Sequence, residues 1–444
     1  EKTKDLFEKN LGPVLLEPFC VGREFTIIVL ENDRNEPVAL LPSEIEMKYE
    51  NYQIFDYRRK YLPTAQTRYF TPARFKNEEI QKIRDNVEDL FKFFNLKDIV
   101  RVDGWLLNDG RIWFSDINIS AGMEQNSFVF QQASKLGLSH SALLNYLVRH
   151  SARRQGIVMP KTEKLSDDRK IINVLFGGSN AEREVSLMSG TNVWLKLRKS
   201  KEYKAKPFLL DKEENVWCLP YSYTLNHTVE EIYENCLNAE ENNTRTIELS
   251  KDITKRLGID ELTLEIPKKM SFNDFCDKCK KDKAFVFLGL HGGIGEDGTI
   301  QNKLDEAKLL YNGSDAKASS LSMNKYETGR IIEKMEDPSI TSLPKIRFSL
   351  TDFKDCKTED YEKFWNDATK TLSSLSFIIK PEADGSSAGA VRIFGHNDLQ
   401  TYIDLLNDNA PYIPAYTFKN QKDIVEMPSN KFQIFMLEPF IETD

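Results

Sequence analysis

The chain alternates short apolar runs of strand length with longer segments whose apolar residues recur every three to four positions. Glu24–Leu30, Pro37–Leu41 and Glu44–Lys48 read as strands, and Asn77–Phe93 has the spacing of an amphipathic helix. Val100–Leu107 and Arg111–Ile117 alternate apolar and polar residues, joined by hairpin chemistry at Asn108-Asp109-Gly110. Gln131–Arg153 reads as one helix. Gln155–Lys170 has little apolar content and reads as a linker. A second series follows: strand Ile171–Phe176, helix Glu182–Lys199, strand Ala284–Leu290 and helix Thr299–Ala307. Strands Phe377–Lys380 and Ala390–Phe394, helix Asn397–Leu406 and strand Phe432–Leu437 close the chain. Asp211–Asp282, rich in charge and Asn, is expected to be a surface insertion. Strands mixed with helices in this way predict an α/β protein.

Composition narrows the picture. At roughly 150 residues per domain, 444 residues make about three domains. With 40% hydrophobic residues the chain can bury a large core, which excludes disorder as its dominant state. A net charge of −8 argues against a nucleic-acid surface, and the basic patches Tyr52–Lys60 and Ala152–Gln155 are short. The longest apolar run, Phe25–Leu30, has strand length, so no membrane span is expected. Six Cys make no disulfide framework and fit a reducing compartment. Cys276 and Cys279 read as two thiols on a charged surface segment, since no second ligand pair follows for zinc.

Leu16-Glu17-Pro18-Phe19 recurs as Leu437-Glu438-Pro439-Phe440, 438 − 17 = 421 residues later. Each copy ends an apolar strand. The simplest expectation is a fragment of a tandem protein that starts inside one copy and stops at the equivalent point of the next.

Three constellations carry chemistry. His291-Gly-Gly-Ile-Gly-Glu-Asp-Gly298 lies between a strand and a helix, and Gly293, Gly295 and Gly298 fit G-x-G-x-x-G. Glu296 and Asp297 would repel a pyrophosphate, so a nicotinamide oxidoreductase is the weakest reading. A small substrate approaching the backbone suits the loop better. Lys380-Pro-Glu-Ala-Asp-Gly-Ser-Ser-Ala-Gly389 lies between two strands and is no Walker A. Gly385-Ser386-Ser387 could wrap phosphate oxygens beside Lys380, or form a plain surface hairpin. Arg101 and Asp103 on one strand, with Asp116 and Asn118 on the next, fall on one face by period 2. Three oxygen ligands suit Mg²⁺, and Arg101 could neutralise an oxyanion. The alternative is a polar outer face of a two-stranded ribbon.

Together these motifs resemble the D-alanine–D-alanine ligase family of the ATP-grasp superfamily. The resemblance rests on Val174-Leu-Phe-Gly-Gly-Ser-Asn-Ala-Glu-Arg-Glu-Val-Ser-Leu-Met-Ser-Gly190, on Leu290-His-Gly-Gly-Ile-Gly-Glu-Asp-Gly-Thr-Ile-Gln301 and on Ser320-Leu-Ser-Met-Asn-Lys325. It implies ATP-dependent joining of two D-alanines through an acyl phosphate, for peptidoglycan precursor synthesis in the cytoplasm, with organelle targeting left open. By resemblance Glu182 holds the first substrate's ammonium and His291 lies near it. Lys325 and Lys380 bind ATP phosphates, with Ser386 beside them, and Ser387 anchors the loop over the substrate. Glu24 takes the ribose, and Glu17 or Glu438 is the hinge acid near adenine. Lys60 and Tyr61 belong to the closing loop, and this Tyr favours D-alanine over D-lactate. Arg101 and the Gly122 backbone stabilise the oxyanion, Ser127 meets the second D-alanine's carboxylate, and Asp103, Asp116 and Asn118 hold two Mg²⁺ (or Mn²⁺).

The resemblance also implies an architecture: grasp-type α+β parts with a doubly wound N-terminal-type domain, in permuted order. Residues 1–156 correspond to the family's C-terminal part, 157–170 to the linker, 171–326 to the N-terminal substrate domain and 327–444 to the central domain. Like a circular permutant, Glu1–Gly156 is expected to fold back on Lys170–Asp444. The opposing expectation pairs each part with its own missing half. Any protein partner is expected to be another copy, in a homodimer or along the tandem chain. The chain departs from the family at Asp116 (usually Glu), Ala121 (usually Pro), Asn324 (usually Asp) and Pro18 or Pro439 (usually Lys). The departures at Asp116 and Ala121 suggest a second reading, a non-catalytic ATP-binding or scaffold half in a tandem array.

Overall fold

The structure is a computed structural model that describes residues 20–47, 67–160, 166, 168–259, 262–335, 337, 339–383, 385, 387–428 and 433–442. The fold is mixed α/β. Contacts divide the chain into two units, one of residues 1–163 with 220–266 and one of 164–219 with 267–444.

In the first unit, Gly22–Glu31 is buried on both faces over its last seven residues, so it becomes the centre of a six-stranded antiparallel sheet. Ser43–Met47 and Thr67–Phe70 lie on one side, Ile99–Leu107 and Ile112–Asn118 on the other. The helix Asn77–Phe93 has the bounds that its spacing predicts, and it lays Ile80, Ile83, Val87 and Phe91 against Phe25, Ile27, Val29 and Val100. Between its pairings with Ser43–Met47 and Pro37–Ala39, the central strand has a gap in its ladder. Buried Gln132 fills it: Oε1 accepts from Ile28 N at 2.9 Å and Nε2 donates to Thr26 O at 3.0 Å. Without that amide the gap would leave buried backbone groups unpaired.

The single helix expected over Gln131–Arg153 is two, Phe128–Ser134 and His140–Arg154. Gly137 takes φ +76°, which an L side chain rarely adopts, and Ser139 caps the second helix by accepting from Ala142 N.

The surface insertion expected over Asp211–Asp282 is neither one piece nor confined to the surface. Residues 220–266 belong to the first unit, where Val229–Leu237 and Ala239–Leu257 are helices. Arg256 forks onto Glu88 at 2.9 and 2.7 Å, and Arg245 donates to the carbonyls of Ala73 and Phe75 at 2.9 and 2.6 Å. The flanking stretches are built into the second unit.

The second unit holds a five-stranded sheet ordered Lys268–Met270, Val216–Cys218, Tyr203–Leu210, Lys170–Gly177, Phe285–Leu288. Lys170–Gly177 pairs in parallel with both neighbours and is buried from Ile172 onward, so it reads as an apolar run broken at Asn173. Phe272, Phe275, Cys276 and Cys279 are buried on one face of the helix Phe272–Lys281. The two cysteines are therefore free thiols in the core, against the surface position expected; Cys279 Sγ accepts from Asn173 Nδ2 at 3.1 Å. A four-stranded antiparallel sheet follows, ordered Ile346–Ser349, Ile434–Pro439, Phe377–Pro381, Val391–Ile393. The helices Thr358–Leu372 and His396–Asn407 cover it with Tyr361, Trp365, Leu399 and Tyr402. No described helix is long and apolar enough to cross a membrane.

Two candidate half-sites

In the first unit, register places the charged residues. Thr26 stands opposite Asp103 on one side, and Asp116 stands opposite it on the other. Arg101 faces Asn118 two residues along. The register shifts between Asp103 and Gly104, where Ser115 is the extra residue, so the bulge lies beside the acidic pair. The Asp103 carboxylate accepts from Thr26 Oγ1 at 2.7 Å, Arg101 Nη2 at 3.0 Å and Asn118 Nδ2 at 3.2 Å. Arg101 Nε is buried without a hydrogen-bond partner, and Asp116 is exposed. Glu24 lies two residues before Thr26 on the same face and is half-buried. Gly122 sits against Glu124, whose Oε2 would be 2.6 Å from a Cβ there. Ser127 precedes the helix Phe128–Ser134, and its hydroxyl is buried without a partner. Thr26 escaped the sequence reading, although its spacing from Glu24 was a usable signal.

In the second unit, loops make the placement. Glu182 is the residue before the helix Arg183–Leu197. Asn180 fixes it, accepting from Glu182 N at 2.8 Å while donating to His291 O at 2.9 Å. The Glu182 carboxylate lies 2.3 Å from where a Cβ would stand on Gly292, and equally close to one on Gly385. Glycine at both positions lets three separate segments meet at this acid. His291 Nε2 is 3.1 Å from Ser189 Oγ. Lys325 N donates to Glu382 O at 3.0 Å, joining the Ser320–Lys325 segment to the loop after Lys380. Ser387 is exposed, with φ +57°. Lys380 Nζ contacts Glu438 Oε2 at 2.5 Å, and Lys345 Nζ contacts Glu438 Oε1 at 3.1 Å. Lys345 was also missed; its only signal is the pairing of Ile346 with Leu437, which sets it beside Glu438. Glu17, Lys60, Tyr61 and Ser386 lie outside the described residues, as does the first copy of the four-residue repeat.

Among the described residues one further trio offers metal-ligating atoms, Glu31, Asp98 and His150, within 4.8 Å of one another. Arg154 reaches Asp98 at 2.7 Å and Lys97 reaches Glu31 at 3.6 Å. Burial opposes ionisation of Glu31, but the Asp98 N–H, His150 and Lys97 hold it below the usual carboxylate range. Two cations already balance the two carboxylates, so the trio is an ion network that braces the Asp98 turn.

The sequence profile of the D-ala D-ala ligase C-terminus matches residues 3–149, and that of the N-terminus matches 171–314. The chain belongs to the D-alanine–D-alanine ligase family. The C-terminal match precedes the N-terminal one, so the displaced order read from the motifs is present in the family matches too. D-alanine–D-alanine ligase from Streptococcus uberis is 29% identical over 223 residues, 50% of this chain and 51% of that protein. The Leptospira interrogans ligase is 26% identical over 249 residues, 56% of this chain and 60% of that protein. The chain thus spans about half the length of the curated relatives it matches. The solved D-alanine–D-alanine ligase from Coxiella burnetii aligns at 15% identity and a TM-score of 0.38, over 62% of this chain and 64% of that one. For a member of this ligase family, the residues 220–266 are placed unexpectedly. They lie inside the N-terminal match yet pack with the C-terminal one.

Proposed function

We propose that the chain joins two D-alanines with ATP, through an acyl phosphate, in cytoplasmic synthesis of a peptidoglycan precursor. The observation that carries this reading is the strand face on which Arg101, Asp103 and Asn118 converge. Its donors fit a hard divalent ion, since the carboxylates of Asp103 and Asp116 and the Asn118 carbonyl are all oxygen ligands. Asp103, Asp116 and Asn118 would hold Mg²⁺ (or Mn²⁺), which supplies charge neutralisation between phosphates. Arg101, with the Gly122 backbone, faces negative charge that develops on the attacked carboxyl carbon's oxygens. Ser127 receives the second D-alanine's carboxylate.

On the other half-site, Glu182 takes the ammonium of the first D-alanine and leaves its carboxylate directed to the phosphate. Lys325 and Lys380 bind ATP phosphates, with Ser386 and Ser387 in the covering turn; Glu24 takes the ribose, and Glu438 or Glu17 the adenine edge. Lys60 and Tyr61 close the site, and Tyr61 favours D-alanine over D-lactate. The two half-sites are complementary in content: one holds metal and oxyanion groups, the other the ammonium and phosphate groups. The reaction needs both, from one chain or from two copies.

One observation favours the second reading, a non-catalytic scaffold. Lys380 is held at 2.5 Å by Glu438, so that carboxylate competes with a phosphate for its charge. Phosphate release assayed with ATP, Mg²⁺ and D-alanine separates the two. Release that depends on D-alanine and metal supports the ligase, and nucleotide binding without release supports the scaffold.

A further inference from the structure

The segment 220–266 brings one side chain to the end of the first half-site where Ser127 stands. Gln131 is 4% exposed and uses both protons of its amide. Nε2 donates to the Asn126 carbonyl at 2.8 Å and to His227 Nδ1 at 3.1 Å. The Asn126 carbonyl belongs to the peptide that carries the Ser127 N–H. Because that peptide is planar, fixing one end fixes the other. Ser127 N in turn donates to Glu124 O at 3.0 Å, and its hydroxyl is buried without a partner.

His227 is itself held firmly. Its ring lies 4.4 Å from the Tyr69 ring and 6.0 Å from that of Phe128. Its backbone N–H donates to Glu231 Oε2 at 2.9 Å, and Glu231 Oε1 accepts from Tyr69 N at 3.0 Å. Burial among these groups pushes the imidazole down to about 4, so it is neutral near pH 7 and Nδ1 can accept.

We propose that His227 is a positioning residue for the second amino-acid substrate, fixing the Asn126–Ser127 peptide through Gln131. What Ser127 binds rests on the ligase reading above; that His227 holds the peptide does not. A general packing role would disturb stability and every kinetic constant together. A positioning role acts on one substrate alone.

The test uses the whole chain with His227→Phe, which keeps a ring but removes the acceptor, and His227→Asn, which restores one. His227→Phe is expected to raise the KM for the second D-alanine about tenfold, with the KM for ATP and for the first D-alanine unchanged. His227→Asn should recover most of the loss. Amide exchange at Ser127 should quicken in His227→Phe and return in His227→Asn. Should His227→Phe not fold, Gln131→Met cuts the same relay from its other end and must give the same signature. Unchanged exchange at Ser127 overturns the proposal, and so does an equal loss in all constants. If the wild type releases no phosphate with D-alanine, the ligase reading falls, and the exchange measurement still decides whether His227 holds the peptide.

Discussion

The two half-sites are built by different means. Arg101, Asp103, Asp116 and Asn118 stand at alternate positions on two neighbouring strands, and the ladder fixes their spacing. Glu182, Gly292 and Gly385 come from three segments far apart in sequence, and they meet only because two of them lack a Cβ. The first arrangement is set by register, which slips only in whole residues. The second is set by loop conformation, which gives way by tenths of an ångström. Chemistry placed on strands should therefore fail through its own side chains. Chemistry placed on loops should fail through the backbones around it as well.

The sharpest break comes from Asp103→Asn. It removes one carboxylate charge from the proposed metal ligands and keeps the side chain's shape, so kcat should fall about 10³-fold. The pair with Arg101 is about one-fifth exposed at each end, so the stability cost should be only about 1 kcal/mol. Steady-state kinetics with a thermal melt checks both. A fall in stability that accounts for the lost rate would show the face to be structural. Glu182→Gln should act differently, raising the KM for the first D-alanine about 30-fold through loss of a charge-assisted bond of ~2 kcal/mol. If Glu182→Gln lowers kcat and leaves KM alone, the division of roles between the two half-sites is wrong.

The same contrast decides what could be read from the residues alone. Arg101, Asp103, Asp116 and Asn118 were legible because period 2 needs no knowledge of the rest of the fold. The loop motifs around His291 and Lys380 could be recognised, but the approach of both glycine backbones to Glu182 could not. The burial of 220–266 was hidden for a separate reason. Thr246 and Ser250 face inward on Ala239–Leu257 with their hydroxyls bonded back to Asn242 O and Thr246 O, so a polar sequence makes a buried face. Cys276 and Cys279 were misplaced because they were weighed as ligands. Taken as small apolar residues beside Phe272 and Phe275, they complete a helical stripe that the neighbouring Lys and Asp disguise.

Acid and base titration tests whether 220–266 is part of the first half-site's folding unit. Burial pushes Glu231 up to about 7 from an ordinary 4.5, against the pull of the His227, Tyr69 and Thr228 N–H groups. The folded chain keeps a proton there between about pH 4.5 and 7 that the unfolded chain releases, so stability is lost as pH rises through that window. His227 works in the opposite sense. Held at about 4 from an ordinary 6.5, it refuses a proton that the unfolded chain accepts, so stability is lost as pH falls from 6.5 to 4. The two slopes oppose each other over most of that range. Glu231→Gln should leave the His227 slope alone, with stability falling by ~2 kcal/mol between pH 6.5 and 4. Urea melts at four pH values in that range measure it. A variant as flat as the wild type would separate this segment's stability from both groups.

The smallest expected effects fall on two glycines, one for each way of building. Gly110 ends the hairpin turn that joins Ile99–Leu107 to Ile112–Asn118, with φ +80° and nothing within 4 Å of a Cβ. Gly110→Ala has room for its methyl group but not the backbone angle. It should cost about 1 kcal/mol of stability and leave turnover per folded molecule unchanged, because the ladder still sets the spacing of Asp103 and Asp116. Gly385 has the reverse problem. Its backbone angle suits other residues, but a Cβ would stand 2.3 Å from Glu182 Oε2. The carboxylate ends a flexible side chain and can swing away, so Gly385→Ala should fold almost as well as the wild type. What it should lose is the position of Glu182, seen as a rise of about fivefold in the KM for the first D-alanine, or ~1 kcal/mol of binding. Equal melting temperatures with unequal KM for Gly385→Ala, and the converse for Gly110→Ala, are the expected result. If both substitutions act on stability alone, loop-borne and strand-borne chemistry are equally robust here, and the contrast between the half-sites does not hold.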